Sequence, residues 1–363
     1  MIDTPSIQEQ NLVPKGSYRI AFIIHGMVRY SGGHTSMLRL GSYLHRFGNE
    51  VSYITIDESR KNSMEKNAAK NLPSFQGVFQ EKDILRNRRF DIGIATHWLT
   101  AYYLLAYQRQ FDYKMYFVQD FEPYFYPMGD LYLLAQNTYK LGLHMVSLGP
   151  WNKTKIEETI SEGRTDVVDF PVAIDQYEIH DRKISVDNEI RLAVYVKSKS
   201  KRAPTLIFEQ LKYLNGKLSA LGYRLKIYVF GMETHMIERL PMGIKLGRLS
   251  HQRLMQVYKT CHFGLVASLT NISLVNYEMI ASGLPVIDYC EGSAPSFFKK
   301  DEMIFIESSI SSLYEKVVYY VKNQGELNEM LKRAQKKILK NQLDWEKTAR
   351  SFADLLSNPI RQP

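Results

Sequence analysis

Two hydrophobic periods alternate along this chain. Residues 18–25, Y-R-I-A-F-I-I-H, form a near-continuous β-rich run of the kind buried on both faces of a parallel sheet. A loop with Ser31, Gly32 and Gly33 follows. Residues 35–47 then carry Met37, Leu38, Leu40 and Leu44 at helical spacing, Gly48 ends the helix, and residues 51–56 return as a strand. The pattern predicts a βαβ unit with its glycines at the first strand-to-helix turn, where backbone can approach a ligand closely. Residues 91–96 and 115–119 read as further strands, the first followed by a helix through Tyr107. Residues 131–139 and 151 to about 162 read as helices around the strand-like M-V-S-L-G-P-W.

The order then repeats. A proline at 171 and the charged stretch after it mark a domain boundary near residues 170–190. Residues 191–196 open a second strand, polar loop, helix (203–221), glycine (Gly222) and strand series. Residues 263–267 suit a buried strand, 268–273 a polar loop, and Glu278 lies on an amphipathic helix that stops at Gly283 before the strand 286–289. A short strand at 304–307, two helices to 340 and a capped amphipathic helix from Asp344 complete the pattern. This is an α/β chain in two Rossmann-like domains, 1–170 and 171–343, with a terminal helical segment, 344–363.

Composition narrows the chemistry. At 363 residues with 45% hydrophobic and 12% aromatic content, two domains can each bury a core. The net charge of +9 favours anionic partners, whether nucleic acid, acidic lipid or a sugar nucleotide. Cys261 and Cys290 sit in or beside apolar strand-like runs, and two buried thiols point to a reducing compartment. The polar start lacks a signal-peptide pattern, and no apolar run reaches the ~20 residues that span a bilayer. A cytoplasmic protein is expected, with attachment to the inner face of the cell membrane compatible.

Candidate ligand groups gather at strand ends. The strand ending near Gln119 runs into Q-D-F-E-P-Y-F-Y-P, where Asp120 and Glu122 sit among aromatics: carboxylates suit sugar hydroxyls, and aromatic faces suit the C–H face of a sugar. His25, His34 and His97 lie near strand ends too, and read as structural. The loop K-S-K-S-K-R (197–202) offers Lys197, Lys201 and Arg202, by itself a solvated loop, a membrane or nucleic-acid patch, or a diphosphate clamp. Arg248 follows another strand. The helix start at Ser273, Leu274 and Val275 presents unpaired amides and a positive dipole end that suit a phosphate, and Glu278 lies one turn further in. The basic run K-R-A-Q-K-K-I-L-K (332–340) reads as a solvated helical face, with contact to anionic lipid as the alternative. Neither the dinucleotide fingerprint G-x-G-x-x-G nor a D-x-D signature occurs.

Two strings carry a family resemblance. Glu278 followed by Gly283-x-Pro285-Val286 resembles the nucleotide-sugar site of GT-B glycosyltransferases, and F-V-Q-D-F-E-P-Y-F-Y-P (117–127) resembles the WsaF-type rhamnosyltransferases. The resemblance implies a GT-B fold, two facing Rossmann-like domains with the terminal helix crossing back to the first and Trp345 anchoring it. The first domain would bind the acceptor and the second the nucleotide sugar. By the same analogy Glu278 holds the ribose, while Lys197, Lys201, Arg202, Arg248 and the amides at Ser273, Leu274 and Val275 hold the diphosphate. Gly32 and Gly33 lie beside the donor, and Asp120, with Glu122 second, orients or deprotonates the acceptor hydroxyl. The implied donor is dTDP-β-L-rhamnose and the acceptor a growing polysaccharide or lipid-linked glycan, with no metal and no cofactor besides the donor. Two positions depart from the pattern: Thr270 replaces the first acid of E-x7-E, and Leu274 stands where these enzymes carry an aromatic. A nucleotide-sugar epimerase of the same layout and a basic nucleic-acid binder are the other classes. Aromatics here cluster with acids and cations cluster apart, which disfavours nucleic acid.

Overall fold

Parallel strands need both faces covered, and the apolar runs of this chain are spaced by helices that can cover them. The computed structural model describes residues 7, 10, 12–160, 162–171, 179–197, 200–231, 243–340 and 344–357. The chain divides into unit 1, Met1–Pro171 with Leu343–Pro363, and unit 2, Val172–Gln342.

In unit 1 the elements run β1 (Arg19–Ile24), α1 (Gly32–Arg46), β2 (Glu50–Thr55), α2 (Lys61–Asn71), β3 (Val78–Gln80), β4 (Phe90–Ala95), α3 (Trp98–Ala106), β5 (Phe111–Val118), α4 (Asp130–Asn137), β6 (His144–Leu148), α5 (Pro150–Glu157) and β7 (Thr165–Val168). The strands form one parallel sheet in the order β3-β2-β1-β4-β5-β6-β7, with Ile20 paired to Val51 on one side and Ile92 on the other. The pattern did not predict α2 or β3. Helix α2 buries only Met64 and Ala68, too few apolar positions to show a period, and β3 is a three-residue edge strand.

Unit 2 runs β8 (Glu189–Tyr195), α6 (Pro204–Ala220), β9 (Arg224–Phe230), β10 (Ile244–Gly247), α7 (His251–Thr260), β11 (Phe263–Leu265), α8 (Leu274–Ala281), β12 (Val286–Tyr289), β13 (Ile304–Ile306), α9 (Ser312–Lys322) and α10 (Gln324–Lys340). Its sheet is also parallel, in the order β10-β9-β8-β11-β12-β13. Leu327, Met330, Leu331, Ala334 and Ile338 bury one face of α10. On its exterior, Lys332 pairs with Glu329, Arg333 with Asp301 and Lys337 with Glu302, so much of the basic run is neutralised within the protein. That favours the solvated face over a lipid patch. One thiol differs from expectation: Cys261 is buried, but Cys290 is exposed because β12 ends one residue before it.

The last helix, α11 (Trp345–Ser357), belongs to unit 1. Trp345, Ala349, Phe352 and Leu356 are buried in that unit's core, Phe352 meets Phe117 edge-on at 6.1 Å, and the carbonyl of Asp169 accepts from Thr348 Oγ1 at 3.2 Å. Asp344 caps the helix by accepting the N–H of Lys347 at 2.6 Å.

Phe352→Ala removes a fully buried ring and should destabilise unit 1 by about 3–5 kcal/mol, read by chemical denaturation. A pH dependence follows from His262, which is buried beside the Arg191 guanidinium, Nη2 lying 3.0 Å from its Nε2. Burial first, then the charge of Arg191, lowers its pKa from 6.5 to about 4. Between these values the unfolded chain binds the proton and the folded chain does not. The contribution is therefore complete above pH 6.5 and disappears as pH falls through 4. The melting temperature of His262→Gln should fall less than that of the parent across this window.

Candidate functional site

In unit 1, the connection from β1 through α1 runs to β2 on one side, and that from β4 through α3 runs to β5 on the other. Adjacent strands whose crossovers diverge leave an open crevice at their carboxyl ends, where α/β sheets hold ligands. His25 follows β1, His97 follows β4, and Gln119 and Asp120 follow β5. The rings of His25 and His97 lie 6.2 Å apart.

Gly32 and Gly33 are the first two residues of α1, capped by Ser31, and not a loop as the pattern suggested. Neither has positive φ. A side chain at Gly32 would meet nothing within 4 Å, and one at Gly33 would only touch Gln119 Oε1 at 3.6 Å. Backbone geometry therefore does not demand glycine here; its effect is unobstructed approach to the first-turn amides. Just before them Tyr30 adopts a left-handed φ of 56°. In unit 2 Ala203, at the start of α6, does the same at 42°. Both strained residues sit in the turn from a unit's first strand to its first helix, and such strain concentrates at ligand sites.

The two carboxylates after β5 separate in environment. Asp120 is half-buried at the strand end, whereas Glu122 is 3% exposed. Glu122 Oε2 accepts the N–H of Trp98, the first residue of α3, at 2.6 Å and lies 3.9 Å from His97 Nε2. A carboxylate at a helix N-terminus is in its favourable place. Burial and the Glu122 charge push the Tyr116 and Tyr139 hydroxyls well above their ordinary pKa. Glu122 thus holds the start of α3, and Asp120 is the acid at the surface. The aromatic segment divides likewise: Phe121 plugs the core, and Tyr124 is exposed. His97 caps α3 by accepting from the Leu99 N–H, and His34 Nδ1 lies 2.9 Å from the Val28 N–H, its pKa lowered by burial. His25 is exposed.

In unit 2 the divergence lies between β8 and β11. Arg202 Nη1 donates to the carbonyl of Ala267, past the end of β11, at 2.7 Å. Its guanidinium and the Lys197 ammonium lie over the Tyr195 ring, 5.8 and 5.9 Å from the centroid. Lys201 is half-buried in the same loop, whose residues 198 and 199 lie outside the described set. Arg248 is exposed immediately after β10, two strands from β8. Ser273 caps α8 and is buried, Leu274 and Val275 form its half-buried first turn, and Glu278 lies one turn on. The Tyr258 hydroxyl, on α7, donates to Glu278 Oε2 at 3.3 Å. Thr270 is wholly buried.

Asp288 and Tyr258 went unnoticed in the sequence. Asp288 lies in β12, fully buried, and accepts the N–H groups of Ser268 (2.9 Å) and Tyr289 (2.7 Å) on Oδ1 and Asn276 Nδ2 (2.7 Å) on Oδ2. Burial raises its pKa against these hydrogen bonds. The legible signal was an acid inside the apolar string V-I-D-Y, where a charge needs partners. Tyr258 left no signal, since its bond to Glu278 joins two helices. Among the described residues no three His, Cys, Asp or Glu side chains converge as a metal-holding group.

Comparison with known proteins places these loops in context. The WsaF N-terminal domain family matches residues 50–149, and the glycosyl transferase-like family matches residues 207–354. The O-antigen biosynthesis protein RfbC of Myxococcus xanthus is 26% identical over 269 residues, which is 71% of this chain but 20% of that protein's length. Among solved structures, HepE of Anabaena with UDP-glucose superposes with a TM-score of 0.70 at 12% identity, covering 94% of this chain and all of that one. Sucrose-phosphate synthase of Thermosynechococcus elongatus gives 0.67 at 12%, covering 94% and 98%. TarM of S. aureus with fondaparinux, α-GlcNAc-glycerol and UDP gives 0.66 at 10%, covering 93% and 99%. At these identities the structures establish the fold, which is GT-B. A WsaF amino-terminal match, a glycosyl transferase-like carboxyl-terminal match and that fold are together consistent with a WsaF-type GT-B glycosyltransferase.

Proposed function

We propose that this glycosyltransferase moves L-rhamnose from dTDP-β-L-rhamnose to a hydroxyl of a growing cell-surface glycan, such as an O-antigen or other polysaccharide, without a metal ion. The observation that carries the donor half is the end of β11 in unit 2. There Glu278, oriented by Tyr258, stands one turn inside α8, and Arg202 is fixed to the neighbouring Ala267 carbonyl. Breaking the glycosidic bond leaves negative charge on the diphosphate, which Lys197, Lys201, Arg202, Arg248 and the first-turn amides of α8 would stabilise by preset dipoles and fixed cations. Glu278 would accept the ribose hydroxyls. In unit 1, Asp120 would orient the acceptor hydroxyl or take its proton, with the amides at Gly32 and Gly33 open to the donor. Glu122 is a positioning group in this reading, because its carboxylate already serves the start of α3. The RfbC similarity and the UDP and glycan ligands of HepE and TarM support a nucleotide-sugar donor and saccharide acceptor. The WsaF resemblance supports rhamnose. No helix among the described residues is long and apolar enough to cross a membrane; peripheral contact with anionic lipid, which would bring the enzyme to a lipid-linked acceptor, would have to use cations other than the paired run on α10.

Incubation of the protein with a synthetic rhamnosyl acceptor and, in turn, dTDP-, UDP- and GDP-sugars should release nucleoside diphosphate only with acceptor present and fastest from dTDP-rhamnose. Turnover with another donor alone would reassign the sugar, and epimerised donor without released diphosphate would reassign the reaction. Glu278→Gln removes a charge-assisted hydrogen bond of about 1.5–3 kcal/mol and should lower kcat/KM for donor roughly 10- to 100-fold, with Tyr258→Phe giving a smaller loss of the same kind. Asp120→Asn should lower kcat by roughly 10²–10⁴ with donor KM little changed. Steady-state kinetics on the three variants separates these outcomes.

A further inference from the structure

The loop between β11 and α8 is polar yet buried: Ser268, Thr270, Asn271 and Ser273 are each 4% exposed or less. Such a loop keeps one shape only if its polar groups are satisfied internally. The Asp288 carboxylate ties together the first residue of the loop, through the Ser268 N–H, and the first turn of α8, through Asn276 Nδ2. Asn276 Nδ2 also reaches Ser268 Oγ at 3.2 Å, and that oxygen accepts the N–H of the helix cap Ser273 at 3.2 Å. From the far side Ser293 closes the lock, its N–H and Oγ both donating to the Ser268 carbonyl at 2.7 and 2.9 Å. Gly292 is required there, because a Cβ would stand 2.4 Å from that carbonyl oxygen. One buried side chain thus sets the distance and direction of the α8 amides relative to the end of β11.

We infer that Asp288 and Asn276 form a positioning pair that presets the first-turn amides of α8 for the donor diphosphate. The pair touches no substrate and acts through the 268–273 loop, so its effect falls on nucleotide affinity and KM more than on kcat. This inference rests on the donor-site reading of unit 2. The geometry also dictates a rescue. Exchanging the two side chains, Asp288→Asn with Asn276→Asp, retains an acceptor for the Ser268 and Tyr289 amides at 288. It also lets the new amide donate to the carboxylate at 276, which Ser268 Oγ can satisfy in turn.

The test measures nucleoside diphosphate affinity by calorimetry and amide hydrogen exchange of the 268–276 segment in the full chain. The parent, Asp288→Asn, Asp288→Ala and the exchanged double variant are compared. Loss of exchange protection with at least a tenfold weaker affinity in the single variants, and recovery of most of both in the double variant, is the expected result. Faster exchange with undiminished affinity in Asp288→Asn would overturn the positioning role while leaving the donor site intact. A parent that binds neither dTDP nor UDP would overturn the donor-site reading and the inference with it.

Discussion

A strand buried on both faces can offer chemistry only where it ends. Every residue of β4 is buried, and so are all but the first of β1 and β2, so no side chain inside them is available to a soluble ligand. Covering helices solve the packing problem of a parallel sheet and force the reactive groups into the few residues beyond each strand. That constraint accounts for the positions of His25, Asp120 and the basic 197–202 loop, which differ in charge and lie in different parts of the chain. The divergence of crossovers between β1 and β4, and between β8 and β11, keeps those ends uncovered.

Each unit then pairs a half-exposed acid with a buried one. Asp120 and Glu278 are half-buried; Glu122 and Asp288 are buried and accept backbone N–H groups, Glu122 from the first residue of α3 and Asp288 from the loop before α8 and from its own strand. A buried carboxylate is costly unless donors surround it, and these two are tolerated because Glu122 accepts the first amide of α3 and Asp288 accepts two backbone amides and the Asn276 side chain. Under the proposed function, the inner acid fixes the element and the outer one would contact the substrate.

Local grammar was the legible part of the sequence. Gly48, Gly222 and Gly283 end helices because each adopts a left-handed φ, +96°, +80° and +77°, and the apolar periods around them identified the helices and strands they separate. Polar α2 and the short β3 carried no such period. Gly32 and Gly33 were read as loop because glycine disfavours helix interiors, yet Ser31 caps them into the first turn, where that penalty is smallest. Nonlocal partnerships were illegible. Glu122 ranked as the second catalytic candidate after Asp120, but the Trp98 amide on it makes it structural, and Asp288 acquired meaning only from Ser268 and Asn276, 20 and 12 residues away.

Helix α11 sets the order in which the two units can be completed. Unit 1 is made of Met1–Pro171 and Leu343–Pro363, so all of unit 2 is spliced into it as a single long insertion. While the ribosome translates residues 172–342, the nascent first sheet lacks Trp345, Ala349, Phe352 and Leu356, and the surface they will cover stays wet. Unit 2, being continuous, can complete its own core as it emerges. Of these two units, the one begun first is therefore the one completed last.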